Sequence, residues 1–360
     1  MTDRVVNFSA GPATLPTAVL EEARRDLVSL PGLGISPLEI SHRSAWFEGV
    51  IGEAEANVRD LLAVPEGYRV LFLQGGASMQ FSMVPMNLGG TSGHVVTGSW
   101  SGKALAEAAR LRSAVARWDG RDEGYVRVPA AEDLRLDAGD AYLHITSNET
   151  IHGVEWPAGA EPAASVLVCD TSSDFLSRPV DVGRYGLLYA GAQKNAGPAG
   201  VTIVIVREDV LERIPDGLPR LLDYRTYAEH GSLYNTPPVF AIYVVALVTR
   251  WLRHEVGGLG AQGAHNREKA GLLYGRIDDS GGLYRGHAAP DSRSLMNVTW
   301  RLPSPELDAR FVGEATAEGL MGLKGHRSVG GIRASIYNAF PLEGVRALAS
   351  FMDGFARRNG

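Results

Sequence analysis

Two polar side chains follow neighbouring apolar runs in the segment 166–200. Asp170 ends the run Val-Leu-Val-Cys at residues 166–169, and Lys194 comes shortly after Leu-Leu-Tyr-Ala at residues 187–190. Because the carboxyl ends of parallel strands meet at one edge of an α/β sheet, we expect both side chains in one crevice. A partly buried lysine suits covalent attachment to a carbonyl, and a carboxylate suits the pyridinium nitrogen of pyridoxal phosphate (PLP). The alternative is a surface lysine and an aspartate that caps a turn.

The elements that would position these residues form an alternating pattern. Short apolar runs predict strands at 68–73, 94–97, 141–146, 165–169, 185–190 and 201–206. Most of them end in polar loops, and several are followed by helical periodicity. This order favours an α/β fold with a mostly parallel sheet that is covered on both faces.

Three of the loops carry residues that could bind a ligand. Gly-Gly-Ala-Ser at 75–78 lies between a strand and a helix, which predicts either an anion site or a plain tight turn. Trp100, in the loop 98–102 before a helix at 103–112, would cover the core or stack on a planar ligand. Asn148 and Thr150 could cap a turn or bond to a ligand.

Composition narrows the classes of function. Apolar residues make up 45% of the 360 residues, and 35 basic against 41 acidic residues give a net charge of −6 without a basic tract. This balance argues against nucleic acid and anionic membranes as main partners.

The longest apolar run, 239–248, is too short to span a bilayer, and the N-terminus lacks a hydrophobic signal region. The single cysteine, Cys169, excludes an internal disulfide and fits the reducing cytoplasm. No metal site is predicted.

Four motifs resemble the phosphoserine aminotransferase family of class V aminotransferases. They are Asn-Phe-Ser-Ala-Gly-Pro at 7–12, Tyr-Ala-Gly-Ala-Gln-Lys-Asn at 189–195, Tyr-Asn-Thr-Pro-Pro at 234–238 and Gly-His-Arg-Ser-Val-Gly-Gly at 325–331. The resemblance extends from residue 7 to about residue 355. It implies a type I PLP-dependent transferase fold whose large domain holds a seven-stranded, mainly parallel sheet. It also implies a homodimer with active sites at the interface.

The glycine-rich segment 257–260 is the best candidate for a hinge between domains, because the residues after it mix strands and helices as a small α+β domain would. We therefore expect a large PLP-binding domain at 15–257 and a small domain at 1–14 and 258–360.

The resemblance also implies the roles of individual residues. Lys194 would bind the cofactor covalently, and Asp170 would keep its pyridine nitrogen protonated. Trp100 would stack on the ring, and Thr150 would bond its phenolic oxygen. The cofactor phosphate would contact Ala77, Ser78, Ser172 and Gln193, with Asn235 and Thr236 from the neighbouring subunit. Arg333 would hold the substrate's α-carboxylate, and the distal anion would meet His42, Arg43, His326 and Arg327.

The reaction implied by the family is transamination of 3-phosphohydroxypyruvate with L-glutamate to O-phospho-L-serine and 2-oxoglutarate, in serine biosynthesis. Some members also act on phosphorylated hydroxythreonine in pyridoxine biosynthesis. Three alternatives remain: a cysteine desulfurase, for which Cys169 is poorly placed; an alanine or serine–glyoxylate aminotransferase, which would not need the double His-Arg cluster; and a non-catalytic protein that retains only the fold.

Overall fold

The structure is a computed structural model that describes residues 4–359. Its α-helices within this range are, in chain order, α1 (Thr17–Asp26), α2 (Ala45–Leu61), α3 (Gly76–Leu88), α4 (Ser99–Leu111), α5 (Glu208–Leu211), α6 (Tyr224–Glu229), α7 (Val239–His254), α8 (Leu259–Asp278), α9 (Pro305–Ala317) and α10 (Leu342–Asn359).

The strands of the same range are β1 (Val6–Asn7), β2 (Tyr68–Leu73), β3 (Ser92–Val96), β4 (Ala114–Asp119), β5 (Tyr142–Thr146), β6 (Asn148–Glu149), β7 (Val154–Glu155), β8 (Leu167–Asp170), β9 (Leu187–Gly191), β10 (Thr202–Arg207), β11 (Arg285–Gly286), β12 (Asn297–Arg301), β13 (Leu320–Met321) and β14 (Ile332–Ser335).

The main sheet has seven strands in the order β2-β10-β9-β8-β5-β3-β4. Neighbours from β9 to β4 pair in parallel, whereas β10 runs antiparallel to both β2 and β9. The predicted α/β fold with a mainly parallel seven-stranded sheet is confirmed. Its central strands are apolar on both faces because both faces are covered.

Alternate residues of each strand enter two different cores. Phe72 and Ile203 pack on the face covered by α2 and α7, in one cluster of buried side chains. Leu71 and Val204 point the opposite way, toward α3 and α4, in a second cluster. Since successive side chains of a strand alternate between faces, a continuous apolar run serves both layers.

A third cluster joins the end of the chain to its beginning. Phe8 packs with buried side chains of α8, α9, α10, β12 and β14, and β1 pairs in parallel with β13. Gly257 and Gly258, at the predicted hinge, both have positive φ. The division into domains at residues 14/15 and 257/258 remains a prediction, and residues 1–3 and 360 of the predicted small domain lie outside the described residues.

Several element boundaries differ from the sequence expectations. Helix α4 begins at Ser99, so that Trp100 lies in its first turn rather than in a loop. Helix α8 begins at Leu259, inside the predicted hinge, because Gly258 precedes it with a positive φ that ends the preceding turn. Strand β4, a half-exposed edge strand, was not expected. Between residues 4 and 359, no helix has the length and apolar character needed to cross a membrane.

Candidate active site

A cavity of about 130 Å³ lies beyond the carboxyl ends of β8 and β9. Asp170 ends β8 and pairs in register with Tyr189 of β9, and Lys194 follows β9 by three residues. The two strands are parallel neighbours, which is why one acid and one amine reach the same crevice. Seven of the predicted cofactor residues line this cavity: Ala77, Ser78, Trp100, Asp170, Ser172, Gln193 and Lys194.

Two hydroxyl groups hold the Lys194 side chain. Its Nζ donates to Thr150 Oγ1 at 2.7 Å and to Ser173 Oγ at 2.6 Å. Burial lowers the pKa of Lys194 to about 8, and the negative charge of Asp170 only partly opposes this. No carboxylate forms an ion pair with Lys194 among the described residues. The side chain is therefore an amine of reduced basicity that hydroxyl groups hold in place.

Asp170 is a buried carboxylate that faces the cavity. Its Oδ1 accepts a hydrogen bond from the backbone N–H of Ser172 at 2.9 Å. Burial raises the pKa of Asp170, while the contacts with Ser172 and the charge of Lys194 act in the opposite direction. The Ser172 hydroxyl in turn accepts from Gly191 N at 3.0 Å, which ties the end of β8 to the end of β9. A buried carboxylate in such a position favours a cationic partner.

The segment 75–78 forms the start of α3 at the rim of the cavity. Gly75 precedes the helix with φ of 94°, and Gly76 has φ of 66°. A Cβ on Gly75 would lie 2.6 Å from Met79 Cβ, so this approach requires glycine. The first backbone N–H groups of a helix have no partner within it, and those of Ala77 and Ser78 are available to an anion.

Trp100 lies over the cavity in the first turn of α4. Lys194 Nζ is 5.6 Å from the centre of its ring, and Lys103 Nζ is 4.0 Å from it. The indole Nε1 is buried and has no hydrogen-bond partner among the described residues. The backbone N–H of Trp100 donates to Glu149 Oε2 at 2.9 Å, which makes Glu149 part of the site.

Sequence reasoning missed Glu149 and Ser173, although both lie beside residues that it singled out. Ser173 bonds Lys194 and follows Ser172. Glu149 lies between Asn148 and Thr150, and its only signal in the sequence is that it is the charged residue of the polar stretch 147–150 after a predicted strand.

The predicted α-carboxylate residue, Arg333, lies on β14. Its Nε is buried without a hydrogen-bond partner among residues 4–359, and burial lowers its pKa. The charge of Arg333 also lowers the pKa of Lys194, so the two side chains are electrostatic neighbours. A half-buried guanidinium whose Nε has no partner is suited to a carboxylate ligand.

The residues predicted for the distal anion are only partly brought together. His326 and Arg327 lie in the loop between β13 and β14. The pKa of His326 is lowered first by burial and then by the charges of Arg333 and Lys103. His42 and Arg43 lie in the turn before α2, and no hydrogen bond among the described residues joins their side chains to the cavity.

Asn235 and Thr236 also lie outside the cavity of this chain. They precede Pro237 and Pro238 at the start of α7, and the Thr236 carbonyl accepts from Gln74 Nε2 at 3.0 Å. The loop is thus packed beside the end of β2, next to the segment 75–78.

The donor set fits PLP. A buried carboxylate suits a pyridinium nitrogen, an amine of lowered pKa suits a carbonyl carbon, and free N–H groups at the start of α3 suit a phosphate. The Thr150 hydroxyl, bonded to Lys194 Nζ, is placed to bond an oxygen next to that carbon.

Comparison with known proteins agrees with this chemistry. The phosphoserine aminotransferase of Geobacillus kaustophilus is 53% identical over 99% of both chains. A solved phosphoserine aminotransferase from Bacillus circulans subsp. alkalophilus has a TM-score of 0.97 and 50% identity, covering 100% of both chains. A PLP-bound phosphoserine aminotransferase from Trichomonas vaginalis has a TM-score of 0.92 and 40% identity over 97% of this chain and 100% of that one. The profile described as "Aminotransferase class-V" matches residues 5–348, and the chain belongs to that family.

Proposed function

We propose that this chain is a PLP-dependent phosphoserine aminotransferase. It exchanges the amino group between L-glutamate and 3-phosphohydroxypyruvate, giving 2-oxoglutarate and O-phospho-L-serine, and the reaction is reversible. The observation that carries the proposal is the shared cavity of Lys194 and Asp170 in a chain that matches phosphoserine aminotransferases over its whole length. This activity belongs to serine biosynthesis.

The cavity lining supports the following roles for seven of the cofactor residues, and the hydrogen bond to Lys194 supports that of Thr150. Lys194 binds the cofactor covalently, Asp170 holds the pyridine nitrogen in its protonated form, and Trp100 stacks on the ring. Thr150 bonds the phenolic oxygen. The phosphate is held by Ala77, Ser78, Ser172 and Gln193, together with Asn235 and Thr236 of a second subunit. When bound, PLP supplies an electron sink for the charge left on the substrate's α-carbon.

Lys194 moves the proton in the reaction. A pKa of about 8 leaves a useful fraction of the amine neutral near neutral pH, so that it can accept the proton from the substrate's α-carbon. Lys194 would be free for this role once the substrate's amino group has displaced it from the cofactor, and it would then pass the proton on to the cofactor. Thr150 and Ser173 accept hydrogen bonds from Nζ at 2.7 and 2.6 Å, which restricts the position of the amine within the cavity.

Arginine and histidine side chains select the substrate. Arg333 binds the α-carboxylate through its planar fork. His42, Arg43, His326 and Arg327 receive the distal anion, which alternates between the phosphate of phosphoserine and the γ-carboxylate of glutamate. Phosphorylated hydroxythreonine, an intermediate of pyridoxine synthesis, carries the same anion and fits the same cluster.

We propose that the enzyme is a homodimer with shared active sites. Large apolar side chains are exposed on the segment 27–38, including Val28 at 83% and Leu38 at 64%, and exposed apolar patches mark interaction surfaces. His42 Nε2, close to this segment, is buried without a partner among the described residues. Such a surface supports a second copy that brings Asn235 and Thr236 to the phosphate. The buried free thiol of Cys169 supports a location in the reducing cytoplasm.

Cys169 also weighs against a desulfurase. It is completely buried, and burial raises the pKa of its thiol well above the ordinary value. A nucleophilic cysteine needs the thiolate and an open path to the substrate.

Turnover with different amino donors and acceptors tests the proposed function. We expect glutamate with 3-phosphohydroxypyruvate to react with a kcat/KM at least about a hundredfold above that of alanine with glyoxylate. Faster turnover of alanine with glyoxylate would contradict the phosphoserine assignment and keep the cofactor chemistry.

Co-expression of two inactive chains tests the shared site. Lys194→Ala chains and Asn235→Ala/Thr236→Ala chains, each with its own tag, should form mixed dimers that contain one intact site. Half the wild-type activity per mixed dimer is expected, that is, about one working site of two. No recovery of activity would contradict the contribution in trans.

A further inference from the structure

Glu149 is a completely buried carboxylate without a basic partner. Its exposed fraction is 0%, and no ion pair to it is present among residues 4–359. Burial raises its pKa, and hydrogen bonds from Ser101 and Trp100 oppose the rise. A buried charge of this kind is costly unless hydrogen bonds satisfy it, so its partners indicate its role.

All hydrogen bonds that the Glu149 carboxylate accepts from described residues come from the first turn of α4. Oε2 accepts from Trp100 N at 2.9 Å, and Oε1 accepts from Ser101 N at 2.8 Å and from Ser101 Oγ at 2.7 Å. The start of a helix of 13 residues has free N–H groups and a partial positive charge, which together favour a carboxylate. Glu149 thus caps α4 from another element, 49 residues away along the chain.

The neighbouring backbone leaves room for this carboxylate. A Cβ on Gly98 would lie 2.5 Å from Glu149 Cδ, so any larger residue there would displace the acid. The φ of Gly98 is 173°, an extended conformation that other residues adopt, and the requirement for glycine is therefore steric. The sequence Gly-Ser-Trp-Ser at 98–101 is arranged around the acid.

Glu149 also adjoins the residue that holds the lysine. Thr150 follows it directly and accepts from Lys194 Nζ, while Trp100 has its ring 5.6 Å from the same Nζ. One carboxylate therefore connects the strand end that bears Thr150 to the helix turn that bears Trp100.

We propose that Glu149 is the positioning residue that holds the Trp100 ring over the cofactor. It acts through the Trp100 backbone and does not touch the substrate. This inference rests on the proposed function only in that PLP occupies the cavity; it does not depend on which amino acid is the substrate.

The test is a double-mutant cycle on cofactor binding. In Glu149→Gln, the amide oxygen can still accept from both Ser101 donors, but the amide nitrogen then faces Trp100 N, so that two donors meet. Full-length chains are titrated with PLP and followed by visible circular dichroism of the bound cofactor. We expect Glu149→Gln to weaken PLP binding about tenfold and to change the sign or amplitude of this signal.

The second half of the cycle places the same change in Trp100→Ala. If Glu149 acts through the ring, Glu149→Gln should alter PLP affinity less than about twofold in that background. Two results would overturn the proposal. One is that Glu149→Gln weakens PLP binding equally in the wild-type and Trp100→Ala backgrounds. The other is that it changes neither PLP affinity nor circular dichroism in the wild-type background. Asp223→Asn is the matched control, because Asp223 is a buried carboxylate that caps α6 and bonds Arg225; it should leave both readouts unchanged.

A second variant keeps the test decisive if Glu149→Gln does not fold. Gly98→Ala retains the acid and pushes it away from Trp100 N. It should weaken PLP binding in the same direction, and again not in the Trp100→Ala background. A folded Gly98→Ala chain with wild-type affinity and signal would overturn the proposal. If the unsubstituted chain bound no PLP, the proposed function itself would fail, which is a separate result.

Discussion

The cofactor-binding part of the site and the part proposed for the distal anion differ in how they are built. In the cofactor-binding part, Lys194 Nζ donates to the hydroxyl groups of Thr150 and Ser173, and these two hydroxyl groups also bond to each other. His326 and Arg327 lie in a loop of the C-terminal region, and His42 and Arg43 lie in a turn before α2. One chain thus brings together the groups proposed for proton transfer and for the pyridine nitrogen, while the groups that would select the substrate come from separate loops.

The difference has a physical reason. Parallel strands deliver their carboxyl ends to a common edge, so that the sheet itself positions Asp170 and Lys194. Selection of a distal anion needs several cations close together, and these repel one another until an anion arrives. Such a cluster is more readily assembled from loops, and across an interface, than inside a core. Variants in the two regions should therefore separate chemistry from selection.

The largest effect is expected for Lys194→Ala. Loss of the amine removes the group proposed to move the proton, and kcat should fall at least about a thousandfold. Part of the PLP affinity should remain, since the phosphate and ring contacts are unchanged. Single-turnover kinetics with O-phospho-L-serine measures the fall, and wild-type rates would refute the role of Lys194.

A smaller effect is expected for Asp170→Asn. The amide keeps the shape and can still accept from Ser172 N, but it lacks the charge that favours a protonated pyridine nitrogen. We expect kcat to fall about a hundredfold while KM changes little. Steady-state kinetics with glutamate measures kcat and KM. A kcat within a few-fold of wild type would show that the charge of Asp170 is not needed.

Arg327→Gln should act on selection alone. Loss of one charged hydrogen-bond donor should raise the KM for O-phospho-L-serine about tenfold and leave the PLP affinity unchanged. Arg310→Gln is the control, because Arg310 is an exposed arginine that pairs with Glu314 on α9. A parallel loss of PLP affinity in Arg327→Gln would remove the distinction between the two regions.

The smallest effect is expected on the free energy of unfolding, which should depend on pH through the protonation of Lys194. Its folded pKa of about 8 lies below the ordinary 10.5, so between these values the unfolded chain binds more protons than the folded one. Stability of the cofactor-free chain should therefore rise with pH across this window, and the cost of burial is fully present below it. The free energy of unfolding of Lys194→Met should exceed that of wild type by about 3 kcal/mol near neutral pH, and the difference should vanish above the window. Urea unfolding at several pH values measures this, and a pH-independent difference would contradict the lowered pKa.

Much of the sheet could be predicted because its strands are short, continuous apolar runs. The runs at 68–73 and 201–206 correspond to β2 and β10 within one residue. Strand β4 was missed because it is a half-exposed edge strand whose charged residues look like a loop. The antiparallel direction of β10 was equally invisible, since an apolar run has no direction.

The common cavity of Asp170 and Lys194 could be predicted, because each residue follows a strand at the same edge of the sheet. A residue's role could not be predicted where its partner lies far along the chain. Glu149 has its role through Trp100 N, 49 residues away. Lys269 on α8 is a second case: it is completely buried and donates to the carbonyls of Ile336 and Tyr337. Such roles depend on tertiary contacts and leave no local pattern.

The most direct test of the account is the absorption spectrum of the PLP-loaded protein before and after the addition of O-phospho-L-serine. The account predicts a cofactor band that converts to the amino form of the cofactor with O-phospho-L-serine and with glutamate, but not with alanine. Conversion with alanine or serine instead would contradict the phosphoserine assignment, and the absence of any cofactor band after addition of PLP would contradict the role of the Lys194 cavity altogether.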